Sequence, residues 1–262
     1  MKSKISRVFA LFLFVSLLSY QFVKAGEPRE TAKLSFSYQI QGDGGSNGSA
    51  VIWNPDGRYY MACFAGNGSF PLESFNSAGQ NYFAGNVGLD VRGMWLNPKT
   101  GKVEVNCAGE KGWYERSFDS KGNPTGEWNL IVSGQHQPDF QSVLSYIPKK
   151  KRLVTFHEGY FTYYKRKNQK KKVVVQYATP YGVKWYINPT TACYTGNKKF
   201  PIAVLELNAG KILYFNMKGR YLTETVIAGT DEIDSFKFSF ANGKAFLFDE
   251  EKRTWNAYEV FE

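Results

Sequence analysis

The sequence of 262 residues predicts an all-β fold assembled from several copies of one unit. Three observations favour this fold. An apolar segment that runs into a Pro or Gly turn recurs along the chain at intervals of roughly 45 residues, a period typical of repeat architectures. Aromatic residues, which favour strands, are abundant, with 21 Phe and 17 Tyr. No stretch shows the 3.6-residue periodicity of an amphipathic helix.

The longest internal repeat matches ACFAGNGSFP at residues 62–71 with ACYTGNKKFP at residues 192–201. The offset from Cys63 to Cys193 is 130 residues, which corresponds to three units of roughly 43 residues. We therefore interpret the two segments as equivalent parts of two copies, too far apart for a disulfide. Because a third cysteine, Cys107, makes the number odd, we predict that all three are small buried core residues.

Two kinds of landmark define the unit. The first is an apolar strand followed by a turn, found at residues 50–57, 94–101, 143–149, 185–189 and 238–244. The second is a Phe-Asn/Asp-x-x-Gly turn, found at residues 75–79, 118–122 and 215–219, with a degenerate copy at 164–168. Such residues favour hairpins because Pro fixes φ and Gly accepts positive φ. In the fourth unit, residues 207–210 are a competing candidate for this second landmark, beside residues 215–219.

Short strands and frequent turns are compatible with a sandwich, a barrel or a propeller. The period favours a propeller, because four strands and their turns need about 40–50 residues. We predict five blades, near residues 47–89, 90–138, 139–180, 181–233 and 234–262. The last block is too short for four strands, so residues 34–40 are expected to supply its outer strand and to close the ring. Six blades is the alternative, since residues 201–229 contain more hairpin material than one blade requires.

Two motifs carry a resemblance to known proteins. Residues 97–102 read NPKTGK and residues 118–123 read FDSKGN. They resemble the NPxTGK hairpin and the FDxxGN turn of β-propeller repeats of the broad NHL and YncE-like kind. The resemblance implies a propeller fold and a bias towards binding roles, and it implies no particular activity.

The N-terminus predicts export. Three cations in the first seven residues, an apolar run over residues 8–20 and small residues at positions 23 and 25 are typical of a secretory signal peptide. We expect cleavage after residue 25 and a secreted or periplasmic protein that is one domain, residues 26–262. Residues 1–25 hold four cations and no acids, so the formal net charge falls from +10 to +6 on cleavage.

Three acids precede predicted inner strands at matching places, namely Asp90, Asp139 and Asp234. The predicted ligand site at the channel mouth consists of Asp90, Arg92, Asp139, Gln141, Lys184 and Asp234. Such a polar ring could hold a sugar, a metal or an anion. The alternative is a repeated turn in which each Asp caps its own backbone. A glycosidase would need two or three of these carboxylates roughly 5–10 Å apart.

One unit is strongly basic. Its predicted basic surface consists of Lys149, Lys150, Lys151, Arg152, Lys165, Arg166, Lys167, Lys170, Lys171 and Lys172. It could bind an anionic lipid surface, an acidic polysaccharide or an envelope protein, or it could be a solvated pair of hairpins. Export disfavours nucleic acid as the partner.

The sequence contains no cofactor motif, and two histidines make a zinc site improbable. We therefore expect a protein without a cofactor, a metal or a membrane-spanning segment. It is predicted to be a binding scaffold for an anionic or carbohydrate partner. The alternative is a carbohydrate-active hydrolase or lyase.

Overall fold

The computed structural model describes residues 26–108, 112–166, 169–175, 191–206, 210–228 and 237–262. In this part of the chain there are twenty β-strands and one short 3-10 turn, Pro148–Lys150. The strands form three four-stranded sheets and one eight-stranded sheet. The prediction of an all-β fold is confirmed.

Each four-stranded sheet is an antiparallel meander, in which neighbours along the chain are neighbours in the sheet. The first contains β2 (Gly48–Asn54), β3 (Tyr59–Phe64), β4 (Pro71–Phe75) and β5 (Asn81–Asn86). The second contains β6 (Val91–Leu96), β7 (Val103–Cys107), β8 (Trp113–Arg116) and β9 (Asn129–Val132). The third contains β10 (Ser145–Ile147), β11 (Arg152–His157), β12 (Tyr160–Lys165) and β13 (Lys171–Val175).

The eight-stranded sheet consists of two further meanders, and we call each four-stranded meander a unit. One contains β14 (Cys193–Tyr194), β15 (Ile202–Glu206), β16 (Lys211–Phe215) and β17 (Tyr221–Val226). The other contains β18 (Phe238–Ala241), β19 (Lys244–Asp249), β20 (Thr254–Phe261) and β1 (Pro28–Gln39). They meet where β1 runs parallel to β17, with one residue pair, Thr31 opposite Val226. The strand predicted at residues 34–40 thus pairs antiparallel with β20, the last strand of the chain.

The meanders define two faces of the molecule, because antiparallel strands place alternate turns at opposite ends. We call one the turn face, which carries the first-to-second and third-to-fourth turns of each unit. The other is the loop face, which carries the second-to-third turns and the connections between units. Bonds between units agree with this assignment. On the turn face the Ser74 hydroxyl donates to the Lys121 carbonyl (2.7 Å), and on the loop face the Gly66 amide donates to Asp90 Oδ1 (2.9 Å).

The first strands of the units lie side by side: β2 contacts β6 and β18, and β10 and β14 contact their neighbours in turn. Side chains from an adjacent unit form hydrogen bonds with the backbone of these first strands and of the residues just before them. The Ser239 hydroxyl donates to the Val51 carbonyl (3.0 Å) and accepts from the Val51 amide (2.8 Å). The Asn106 amide group does the same for Ser142 O (2.9 Å) and Leu144 N (3.2 Å). These bonds matter because an unpaired buried backbone group costs free energy.

Apolar side chains fill the space between neighbouring sheets. Phe64, Phe248 and Trp255 form part of the cluster between the first and last sheets. We call the first strands of the units the inner strands, and their close approach needs a glycine at position 93. A Cβ atom there would lie 2.5 Å from the Asn106 Oδ1 atom and 2.6 Å from the Leu144 amide nitrogen.

The Phe-Asn/Asp-x-x-Gly motif folds as predicted into the turn between third and fourth strands. In the second unit, Asp119 Oδ1 accepts from the amides of Lys121 (2.8 Å) and Asn123 (2.9 Å). The hydrogen bonds from Asn123 hold the pKa of Asp119 below its usual value. Asn76 and Asn216 accept the same pair of bonds in the first and fourth units. Residues 215–219 therefore hold this position in the fourth unit, between β16 and β17.

The equivalence predicted for residues 62–71 and 192–201 is wrong. The first segment joins β3 to β4 on the loop face, whereas the second joins β14 to β15 on the turn face. Their likeness comes from shared turn chemistry. Asn67 Oδ1 accepts from the amide of Ser69 (3.0 Å), and Asn197 Oδ1 accepts from the amide of Lys199 (2.9 Å).

The three cysteines all lie in the described part of the chain. Each is buried and none forms a disulfide, as predicted. Burial raises the pKa of Cys63 to about 12 and raises that of Cys193 as well. At neutral pH both are thiols and have the character of small apolar residues.

Candidate functional site

A central cavity of about 940 Å³ lies between the inner strands. Its wall combines residues of β2, β6, β10, β14 and β18 with residues of the first-to-second turns. The turn residues are Pro55, Asp56, Arg58, Pro98, Gly101, Pro148 and Asn242. The cavity therefore extends to the turn face. Its volume lies within the roughly 300–1,000 Å³ that is common for small-ligand pockets.

Every inner strand contributes at least one aromatic side chain to the cavity wall. One from each strand is Trp53, Trp95, Tyr146, Tyr194 and Phe240. Trp95 is buried, and the other four are partly exposed. Burial also raises the pKa of Tyr194. Each of the five rings also packs in an apolar cluster between sheets, so the cavity wall is the inner edge of these clusters.

Polar groups of the wall are mostly engaged by the fold. The Ser145 hydroxyl accepts from the Tyr194 amide (2.9 Å), and the Asn242 amide group donates to Tyr60 Oη (3.2 Å). Asp56 and Arg58 are exposed in the turn after β2. Asp56 is the one carboxylate among the lining residues that the structure describes. The described wall therefore lacks the pair of carboxylates that glycoside hydrolysis requires.

Three of the residues predicted at the channel mouth come together on the loop face. The guanidinium of Arg92, which is largely buried, pairs with the carboxylate of Asp90 and donates through Nε to Gln141 Oε1 (2.9 Å). Asp90 also accepts from the Gly66 amide. The cluster therefore joins three loops, and the charge of its carboxylate is matched by that of Arg92.

Asp139 is turned back onto its own loop, where its Oδ1 atom accepts from the Gln141 amide (2.6 Å). This contact fits the alternative that the sequence left open, a backbone-capping turn. Of the predicted residues that the structure describes, none lines the cavity. Lys184 and Asp234 lie outside the described residues. The convergence of these acids on one site therefore stays a prediction.

Sequence reasoning missed the aromatic wall, although a signal was present. Trp53, Trp95, Tyr146 and Phe240 all stand in the strand-and-turn landmarks, within three residues of the turn. Their place on one cavity wall could not be predicted, because the sequence does not say which end of an inner strand lies at the cavity.

Most of the predicted basic surface occupies two adjacent turns of the third unit. Lys149, Lys150 and Lys151 form the turn before β11, and the Arg166 amide in the next turn donates to the Lys151 carbonyl (3.5 Å). The other lysines of this set, which are Lys165, Lys170, Lys171 and Lys172, are exposed, and Arg152 is half-buried. Lys167 lies outside the described residues.

The assignment of Arg166 to this basic surface needs correction. Its guanidinium reaches into the neighbouring unit and pairs with Glu104, whose side chain is fully buried, and the Nε···Oε2 distance is 2.6 Å. Glu104 also accepts from Trp95 Nε1 (2.8 Å) and Asn97 Nδ2 (2.7 Å). The hydrogen bond to Glu104 raises the pKa of Arg166. This cation links two units and is not available to a ligand.

In the parts of the chain that the structure describes, no three His, Cys, Asp or Glu residues are placed to hold a metal ion. Within the same residues, no helix has the length and apolar character needed to cross a membrane.

No family model matches the sequence, and the comparison with curated proteins gives no match. Among solved structures, the chain is similar to XC5397 from Xanthomonas campestris, described as a gluconolactonase. The identity is 9%, the TM-score is 0.52, and the match covers 92% of this chain and 99% of the other. It is also similar to an auxiliary nutrient binding protein from Bacteroides thetaiotaomicron, with 11% identity, a TM-score of 0.42 and coverage of 84% and 61%. A structure of a nidogen/laminin complex gives 11% identity, a TM-score of 0.40 and coverage of 71% and 65%. At the level of fold, and of fold alone, this chain resembles β-propeller proteins.

Proposed function

We propose that the chain forms a closed propeller of five blades. The eight-stranded sheet divides at its single parallel pair into two four-stranded meanders, which gives five with the other three sheets. The first strands contact one another in a cycle, from β2 through β6, β10, β14 and β18 back to β2. In this arrangement β1 is the outer strand of the last blade, so the two ends of the chain share one sheet.

We further propose that the propeller binds a saccharide in the central cavity and does not catalyse a reaction. The observation that carries this proposal is the aromatic contribution of every inner strand to one wall. Aromatic rings offer large rigid apolar surfaces, and Tyr and Trp add a polar tip. A sugar ring has an apolar face and a polar edge, so it matches such a wall better than a purely apolar ligand does.

The alternative is a carbohydrate-active hydrolase or lyase. The two proposals differ in turnover. A binding protein retains an oligosaccharide unchanged, whereas a hydrolase or lyase releases new ends. Prolonged incubation with the oligosaccharide that binds best, followed by mass spectrometry, separates them, and product formed in proportion to protein would favour the enzyme.

Substitution of Trp53 tests the aromatic wall. We expect Trp53→Ala to weaken saccharide binding by about tenfold, a usual loss when a central aromatic contact is removed. The measurement is a calorimetric titration with neutral and acidic oligosaccharides. The control is Phe140→Ala, because Phe140 is 59% exposed and lies outside the cavity wall. Equal loss in both variants, or none in Trp53→Ala with its melting temperature preserved, would contradict a site in the cavity.

We also propose that residues 1–25 direct export and are removed. Expression of the full chain in a bacterial host should yield exported protein whose first residue is Gly26, measured by mass spectrometry of the intact chain. Replacing Ala25 with Arg should leave the uncleaved form, because signal peptidase requires a small residue there. Retention of the full-length chain in the cytoplasm would contradict export.

A further inference from the structure

The two faces of the molecule differ in charge. The described turns of the turn face hold thirteen cations and three acids. The cations are Arg58, Lys99, Lys102, Lys121, Lys149, Lys150, Lys151, Arg166, Lys170, Lys198, Lys199, Lys218 and Arg220. The acids are Asp56, Asp119 and Glu127, to which the ends of the domain add Glu27 and Glu262.

The loop face has the opposite balance. Its described loops hold the acids Asp43, Asp90, Asp139, Glu158, Glu250 and Glu251 and the cations Lys237, Lys252 and Arg253. Each of these three cations is engaged, Lys237 with Glu250, Lys252 with Asp249, and Arg253 with backbone carbonyls of residues 42–45. Among the turns and loops that the structure describes, the excess of positive charge therefore lies on the turn face.

The cavity extends to this positive face. Arg58 belongs to the cavity wall and is exposed. Lys99 and Lys149 directly follow the lining prolines Pro98 and Pro148, and both are exposed. A cleft whose rim carries one sign of charge concentrates ligands of the opposite sign and speeds their association.

Some of the cations are already paired and add little to this field. Lys102 pairs with Glu115 (2.6 Å), Lys199 pairs with Glu27, and Arg166 pairs with Glu104. Arg58, Lys99 and Lys150 are exposed cations in three turns around the cavity, so the rim keeps positive charge when these three ion pairs are set aside.

We propose that the ligand is an acidic saccharide, whose rings stack in the cavity while its anionic groups contact the cations of the turn face. The proposal rests on the saccharide site proposed above and adds the charge of its ligand. Carboxylate and sulfate groups share the relevant chemistry. A membrane surface fits less well, because none of the large exposed apolar side chains in the described chain lies on these turns: Leu34, Leu130 and Val173 lie on strands, and Phe140 lies on the loop face.

The probe is a hexamer of galacturonate, compared with its full methyl ester, which keeps the rings and loses the charge. We expect the acid to bind at least about tenfold more tightly than the ester in low salt, and the difference to shrink as NaCl is raised, because salt screens exposed charges. A sulfated oligosaccharide of equal length shows whether carboxylate or sulfate is preferred.

The charge variant is Arg58→Gln/Lys99→Gln/Lys150→Gln, with one substitution in each of three turns around the cavity. Its matched control is Lys33→Gln/Lys171→Gln/Lys172→Gln, which removes three exposed cations from the outer strands β1 and β13. We expect the first variant to bind the acid about tenfold more weakly and the ester unchanged, since rim charges act on association with charged ligands. The control should bind both as the parent protein does.

Each of the other outcomes contradicts a specific part of the two proposals. Equal binding of acid and ester contradicts the acidic ligand and leaves the saccharide site standing. Acid binding that survives Trp53→Ala places the ligand outside the cavity and contradicts both. Equal losses in the two charge variants indicate a general charge effect and contradict the role of the turn face. Binding to phosphatidylserine vesicles, with none to any oligosaccharide, contradicts both proposals.

Discussion

Replacing Arg166 with Met should lower the free energy of unfolding by about 3–5 kcal/mol, because it leaves the buried carboxylate of Glu104 without its countercharge. Glu104 is fully buried, and the remaining donors to it are the neutral Trp95 and Asn97 side chains. The cost arises between two units, since Glu104 belongs to β7 and Arg166 follows β12. Urea unfolding followed by fluorescence gives the free energy.

Two further variants make the Arg166 test specific. Lys165→Met, at an exposed neighbouring position, removes one cation without touching Glu104 and should change stability little. Adding Glu104→Gln to Arg166→Met should restore part of the loss, because the buried group is then neutral. If Arg166→Met unfolds at the same urea concentration as the parent protein, the pair does not hold the two units together.

Replacing Glu73 with Ala should cost about 3 kcal/mol, because buried donors lose their acceptor. The Glu73 carboxylate is buried and accepts from Tyr38 Oη (2.5 Å) and from the backbone amides of Gln41 (3.0 Å) and Gly42 (2.7 Å). Tyr38 also stacks on Phe75, with ring centroids 3.8 Å apart. Burial, and then the bond to Glu73, raises the pKa of Tyr38. These contacts fasten the end of β1 to the first sheet.

The expected signature of Glu73→Ala is local as well as global. Amide hydrogens of β1 should exchange faster than those of β7, because β1 loses its attachment first. Glu30→Ala is the control, since Glu30 is exposed on the same strand. Unchanged protection of β1 together with unchanged global stability would show that the stacked Tyr38 ring suffices without the carboxylate.

Turns that are held by hydrogen bonds between residues close in the sequence could be predicted. The turn at Asp119 folds as predicted because its bonds lie within five residues. The same locality explains why the prediction for residues 62–71 and 192–201 is wrong: one kind of Asn turn occurs in two different connections. Such turns indicate where a hairpin lies, but they do not indicate which pair of strands the hairpin joins.

Contacts between units could not be predicted. Arg166 reads as one more cation in a basic run, and only the packing of two sheets places it against Glu104. Asp90, Asp139 and Asp234 recur at matching places, but Asp139 bonds to its own loop while Asp90 pairs with Arg92. The face on which the cavity opens depends on strand direction, which required the full topology.

The position of β1 has a consequence for how the molecule is made. This strand ends at Gln39, whereas its antiparallel partner, β20, begins only at Thr254. During synthesis β1 must therefore wait, without this partner, until all the strands between them have been made. Contacts between such distant parts of a chain form slowly, because a long loop must close before they contribute. Pairing of β1 in its sheet is thereby tied to the synthesis of β20, and a chain that lacked β20 would expose an unmatched edge to other copies.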